Sequence, residues 1–148
     1  MGKKRINKKE LRELILGEIT TDDLNSNYDY SHITSMNQLL TCCKNIEVIP
    51  WIDTSNVTDM GSMFNGCSSL ITIPLLDTSN VTNVYNMFAG CKSLTTIPLL
   101  STSEITNMSR MLCGCESLTN VPLLDTSNVT NMSHMFASCK SLQFVQHI

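Results

Sequence analysis

The chain of 148 residues has room for one domain, and a 42% hydrophobic content with one Trp, three Tyr and four Phe suits a core of small aliphatic layers. Its formal net charge of −3 hides an asymmetry: Lys3, Lys4, Arg5, Lys8, Lys9 and Arg12 face only Glu10 in the first twelve residues, a local +5 that leaves −8 on the remainder. An acidic body excludes a nucleic-acid backbone along most of the chain and leaves the basic head as the one place for phosphate. The apolar run Leu14-Ile15-Leu16 lies between Glu13 and Glu18, so it makes no signal-peptide h-region. No stretch approaches the roughly 18 apolar residues of a membrane span, and Met-Gly-Lys-Lys-Arg-Ile lacks the Ser or Thr of a myristoylation motif. These features predict a cytoplasmic protein with no membrane span.

In chain order, residues 7–19 come first. Asn7 with Glu10 three residues on has the form of a capping box. Leu11, Leu14, Ile15 and Ile19 then share one face of a helix. Continued by Thr20 to Tyr28, this segment reads as a helical cap over residues 1–28, with a partner-binding arm as the alternative.

Beyond it the pattern DTSNVTDMGSMFNGCSSLITIPLL, residues 53–76, starts again at Asp77, Ser101 and Asp125, and a weaker copy begins at Asp29. Five copies at a 24-residue period over 29–148 are the signature of a stacked solenoid, because one copy cannot bury its own apolar face. The fold class expected is α/β, with one short helix and one short parallel strand per rung. Thr34, Thr58, Thr82, Thr106 and Thr130 stand before an apolar-periodic segment and are the expected N-caps. Met60, Met63 and Phe64, with their counterparts, form the inward face. Gly66, Gly90 and Gly114 follow as left-handed helix ends, replaced by Cys42 and Ser138 in the outer copies. The next element is short and extended, with Leu70 and Ile73 recurring as Leu94 and Ile97, Leu118 and Val121, Leu142 and Val145. Pro50, Pro74, Pro98 and Pro122 end it, since Pro cannot donate to a ladder.

The repeat resembles the BspA-like, lipoprotein-type branch of the leucine-rich repeats, built on DTSNVTNMSxMFxGCxSLTxIP. Asp125 to Cys139 follows that pattern nearly letter for letter, and the resemblance covers residues 29–148. It implies a leucine-rich-repeat solenoid and protein–protein or surface interaction, with no catalytic residue to carry across. An export signal and a lipid-attachment Cys, usual in that branch, are missing from the sequence given.

No catalytic constellation is visible. His32, His134 and His147 occupy three different repeat positions, and there is no glycine-rich phosphate loop or paired-acid signature. Cys43, Cys67, Cys91, Cys115 and Cys139 recur with the period and read as buried, reduced core residues. Cys113 is the expected exposed thiol. Asp53, Asp77 and Asp125 read as turn caps rather than a calcium column. Asn56, Asn80 and Asn128, each heading an Asn-Val-Thr glycosylation triplet, read as a ladder. No cofactor or metal is expected.

What remains is surface. After each Pro stands an apolar pair: Trp51-Ile52, Leu75-Leu76, Leu99-Leu100, Leu123-Leu124, and His147-Ile148 at the corresponding place. Alternation along a strand exposes one of each pair. The expected partner-binding set is Trp51, Pro74, Leu76, Pro98, Leu100, Pro122 and Leu124, with Arg110, the one permanent cation at its helical position. Trp51 serves equally as a binding anchor or as filler beneath the cap. A last rung with Phe144 and Val145 at a parallel edge predicts a homodimer through that rung, or coverage by a partner. The function expected is a non-enzymatic module that binds a protein through its sheet face or rung ends. The alternatives are a phage- or mobile-element-encoded inhibitor of a host nuclease or defence complex, a bacterial surface adhesin, and a self-assembling structural subunit.

Overall fold

The computed structural model describes residues 2–146; His147 and Ile148, the last pair of the apolar series, lie outside them. Two helices open the fold, α1 (Lys8–Leu16) and α2 (Thr21–Asn27). The Asn7 side chain accepts from the N–H groups of Lys9 and Glu10, and the Glu10 carboxylate accepts from the Asn7 N–H. The capping box is therefore complete. Thr20 caps α2 by accepting from the Asp23 N–H, and Asp22 and Asp23 suit that end of the helix dipole. Gly17 ends α1, and Glu18 at φ 60° turns the chain, so the cap is two helices rather than one continued segment. Strand β1 (Lys4–Arg5) pairs in parallel with β2 (Tyr28–Asp29) and ties the head to the start of the repeats.

From Asp29 the backbone winds in 24-residue coils, each running in the same direction as the next and held to it in register. Parallel bridges join Ser35 to Asp59, Asp59 to Asn83, Asn83 to Asn107 and Asn107 to Asn131. In coil 1 the N–H groups of Met36, Gln38, Leu40 and Cys42 donate to the carbonyls of Asp59, Gly61, Met63 and Asn65 in coil 2, at 2.9, 2.9, 2.8 and 2.7 Å. The alternate N–H groups, of Leu39, Thr41 and Cys43, stay within the coil and reach the carbonyl three residues back. Coils 2, 3 and 4 repeat the forward bonds to the coil after.

The expected helix in each copy is thus replaced by a different winding. An α-helix sends every N–H four residues back; here alternate N–H groups go to the neighbouring coil. The chain stays tightly wound because two residues, four apart, are left-handed in each coil. Gln38, Ser62, Asn86, Arg110 and His134 have φ of 54–59°, and Cys42, Gly66, Gly90, Gly114 and Ser138 have φ of 60–75°. Left-handed Gly66, Gly90 and Gly114 are therefore corners of this winding, not helix ends. The Thr column caps no helix either. Thr58, Thr82, Thr106 and Thr130 each donate their N–H to the preceding Thr carbonyl, at 2.8–3.0 Å, beginning with that of Thr34. Each hydroxyl adds a longer bond to the same oxygen.

The forward bonds of the winding give that side of the stack a polarity. The carbonyl of Asp59 and the N–H of Met60 belong to one peptide unit, which accepts from Met36 in coil 1 and donates to Asn83 in coil 3. Four rows of such units run along the stack with their dipoles parallel. In these four rows carbonyls face the N-terminal end and N–H groups the C-terminal end, so their dipoles add as in a helix macrodipole but in the opposite sense along the chain.

The expected strand per copy also shrinks. Among the described residues only β3 (Asn120–Val121) and β4 (Phe144–Val145) pair as strands between one coil and the next. Elsewhere Ile71, Thr95, Thr119 and Gln143 each donate one N–H to the carbonyl of the coil before. The core lies between this return segment and the winding. Met60, Met63, Phe64, Met87 and Phe88 are fully buried, and the Phe64 and Phe88 rings stack 5.5 Å apart at 3°.

Candidate interaction surfaces

The return segment buries every third residue: Leu70, Ile73 and Leu76; then Leu94, Ile97 and Leu100; then Leu118, Val121 and Leu124. A period of three is that of a polyproline II helix, which Pro74, Pro98 and Pro122 favour by fixing φ. A strand has a period of two, and this difference overturns part of the expected site. Leu76, Leu100 and Leu124 are 2%, 3% and 1% exposed, whereas Leu75, Leu99 and Leu123 stand out at 63%, 64% and 53%. Trp51, at 44%, begins the same row, and Pro74, Pro98 and Pro122 are half-buried at its base. The result is one apolar ridge crossing coils 1 to 4.

An acidic row runs beside it. Asp53, Asp77 and Asp125 are exposed, with Ser101 in the gap. Each carboxylate accepts the N–H of the Ser two residues on, at 2.9–3.0 Å. The hydroxyls of Ser79 and Ser127, then their N–H groups, hold the Asp77 and Asp125 carboxyls below the ordinary range, so both are charged at neutral pH. Asn56, Asn80 and Asn128 donate to the carbonyls of Ser31, Ser55 and Ser103 and so act as ladder rungs. Among the described residues no group of His, Cys, Asp and Glu could hold a metal ion, and no helix is long and apolar enough to cross a membrane.

The cysteine column is sealed. Cys67, Cys91 and Cys115 are fully buried, and their thiols donate to the carbonyls of Leu40, Phe64 and Phe88 at 3.0–3.2 Å. Burial pushes Cys67 and Cys115 up to about 12 and Cys91 higher still, so all three stay protonated. The exposed thiol is Cys42, at a left-handed corner, whereas Cys113 is half-buried. Arg110 also occupies a left-handed corner with its side chain in solvent. It belongs to the winding and not to the return segment that carries the ridge.

The ends of the stack form a second pair of surfaces. At the N-terminal end, Lys8 Nζ donates to the Asn37 carbonyl at 3.1 Å and Arg12 Nη1 donates to the Leu39 carbonyl. Both oxygens lie at the carbonyl pole of the peptide rows. Lys8 and Arg12 are four apart and so share one helix face; that spacing beside Leu11 and Ile15 was the available sequence signal. Between the last turn of α1 and residues 42–50 an open cleft of about 1190 Å³ remains, with Leu16, Ile19, Lys44 and Val48 among its walls. At the C-terminal end nothing of the kind exists among the described residues. Met132, Phe136, Cys139, Leu142 and Val145 are only partly covered, and Phe144 is 59% exposed.

Comparisons with curated proteins and with solved structures return no significant match. One family model does match, over residues 10–112 and again over 95–148, so that it spans the cap from residue 10 on and all five copies. The chain belongs to the family described as "Mycoplasma protein of unknown function, DUF285".

Proposed function

We propose that the protein is a non-enzymatic interaction module, a leucine-rich-repeat solenoid of the BspA-like kind, that grips a protein partner along the ridge of Trp51, Leu75, Leu99 and Leu123. The carrying observation is that row itself: four large apolar side chains, 44–64% exposed, at one position of four successive coils. Scattered exposed leucines need no explanation, but a continuous apolar patch marks a contact surface. The acidic row of Asp53, Asp77 and Asp125 beside it selects the partner's chemistry: an apolar strip flanked by Lys or Arg. A basic groove of a nuclease or defence complex has that character, and an inhibitor competing for it is the form of the proposal that this charge favours.

A photo-reactive residue at position 99 is expected to form a discrete adduct with one partner in extracts of the source cell. The same residue at Thr82, on the Thr column, is expected to form none. Adducts of equal pattern from both positions would refute the ridge. Addition of salt is expected to reduce the yield at position 99, because the acidic row is exposed and screened.

A further inference from the structure

We propose that the C-terminal end of the stack is a self-docking face, through which two copies of the chain join about a two-fold axis. In coil 4 the apolar layer of Met108, Met111, Leu112, Cys115 and Leu118 is fully buried by the coil above it. In coil 5 the counterparts Met132, Phe136, Cys139 and Leu142 are only partly covered, although Met135 is buried. The face left open has the composition that each coil of this chain already buries against the next. Apolar surface of that kind is what a homodimer interface hides.

Its polar groups define the partner further. The N–H groups of Met132, His134, Phe136 and Ser138 end the four peptide rows, and among the described residues none has an acceptor, whereas every counterpart in coils 1 to 4 has one. They need a row of carbonyls. Carbonyls lie across the same face. The Gln143 carbonyl accepts nothing among the described residues, while Glu47, Ile71, Thr95 and Thr119 at the same position each accept an N–H from the coil above. So the winding side of the face presents four N–H groups beside the one free carbonyl of Thr130, and the return side presents the Gln143 carbonyl. A two-fold axis lying in the face, between the two sides, sets one copy's donors on the other's acceptors and apolar layer on apolar layer.

Charge permits this and the other end limits it. Apart from histidine, coil 5 carries one acid, Asp125, and one base, Lys140, so two facing copies bring no net charge together. The winding side of the N-terminal end is already occupied, because Lys8 and Arg12 hold the Asn37 and Leu39 carbonyls and α1 covers the layer beneath, which leaves only the cleft beside residues 42–50. A head-to-tail filament is therefore blocked and the assembly stops at two.

The test is sedimentation of the full chain over a hundredfold concentration range, with amide exchange followed in parallel. A monomer–dimer equilibrium is expected, and the amides of Met132, His134, Phe136 and Ser138 are expected to exchange more slowly as concentration rises. Phe136→Glu is expected to weaken the dimer by about tenfold or more; protected amides at Phe64 and Phe88 would show that the stack is still folded. Leu99→Glu, on the ridge, is expected to leave the dimer intact. A strictly monomeric chain, a filament, or a dimer broken by Leu99→Glu but not by Phe136→Glu would each overturn the proposal. Because the amide measurement needs no substitution, an unfolded Phe136→Glu would still leave a decisive result, and loss of the ridge contact would not affect it.

Discussion

The two ends of the stack meet opposite halves of one problem. On the winding side the N-terminal end presents carbonyls and the C-terminal end presents N–H groups, because the four peptide rows there point the same way. At the first end the chain supplies cations on a helix, Lys8 and Arg12, and lays Leu11 and Ile15 over the apolar layer, so that Met36 and Leu40 are fully buried. At the second, the corresponding layer is half-bare. A stack of aligned peptides thus behaves like a helix on its side: cations belong at the carbonyl pole. The cap does not imitate a sixth coil. Two side-chain donors replace four backbone ones, and the side of coil 1 beyond their reach remains a cleft.

The sharpest way to break this comparison is to empty one apolar layer at a time. Phe88→Ala, in the sealed middle, is expected to cost about 3–5 kcal/mol, since it removes a stacked ring and leaves a cavity. Phe136→Ala in coil 5 is expected to cost about 1–2 kcal/mol, because a partly exposed ring has less to lose. Equal losses of thermal stability would mean that the C-terminal layer is as well covered as the rest. A smaller effect probes the cap: Arg12→Ala strips a charged donor from the Leu39 carbonyl and is expected to cost about 1–3 kcal/mol, with faster amide exchange confined to coil 1.

The smallest effect is acid sensitivity. Glu116 lies between Lys140 and Lys92, at 2.6 and 3.3 Å, and its hydrogen bonds to them hold its carboxyl below the ordinary 4.5. Asp77 and Asp125 are held below 3.8 by Ser79 and Ser127. A folded pKa below the unfolded one adds stability that is present above the unfolded value and lost as pH falls through the folded one. The melting temperature is therefore expected to fall on acidification below these values, modestly, because all three groups are in solvent. Glu116→Gln is expected to flatten part of that fall; an unchanged profile would remove the Lys92–Glu116–Lys140 bridge from the account.

The spacing that joins coil to coil was written in the sequence, since Thr58, Thr82 and Thr106 recur at the interval of the backbone bonds that connect them. The capping box at Asn7 and Glu10 was equally plain, being a local pattern with one geometry. The winding within each coil was not. Met60, Met63 and Phe64 have helical spacing, yet Ser62 and its counterparts Asn86, Arg110 and His134 adopt left-handed φ that their side chains do not advertise. The contact surface was off by one residue for a related reason: Leu75 and Leu76 are chemically identical, and only a three-residue period in place of two decides which points outward.

The amino-acid sequence by itself determined which residues recur, and so which columns could line up; like side chains at a constant interval need only a chain that returns to the same place each time. Where each backbone N–H goes was decided in three dimensions. An amide between turn and helix in local preference takes the carbonyl that the adjoining coil holds out to it, and that carbonyl exists only once the coils are assembled. The direction of the peptide rows, the outward leucines and the unequal ends all follow from that choice.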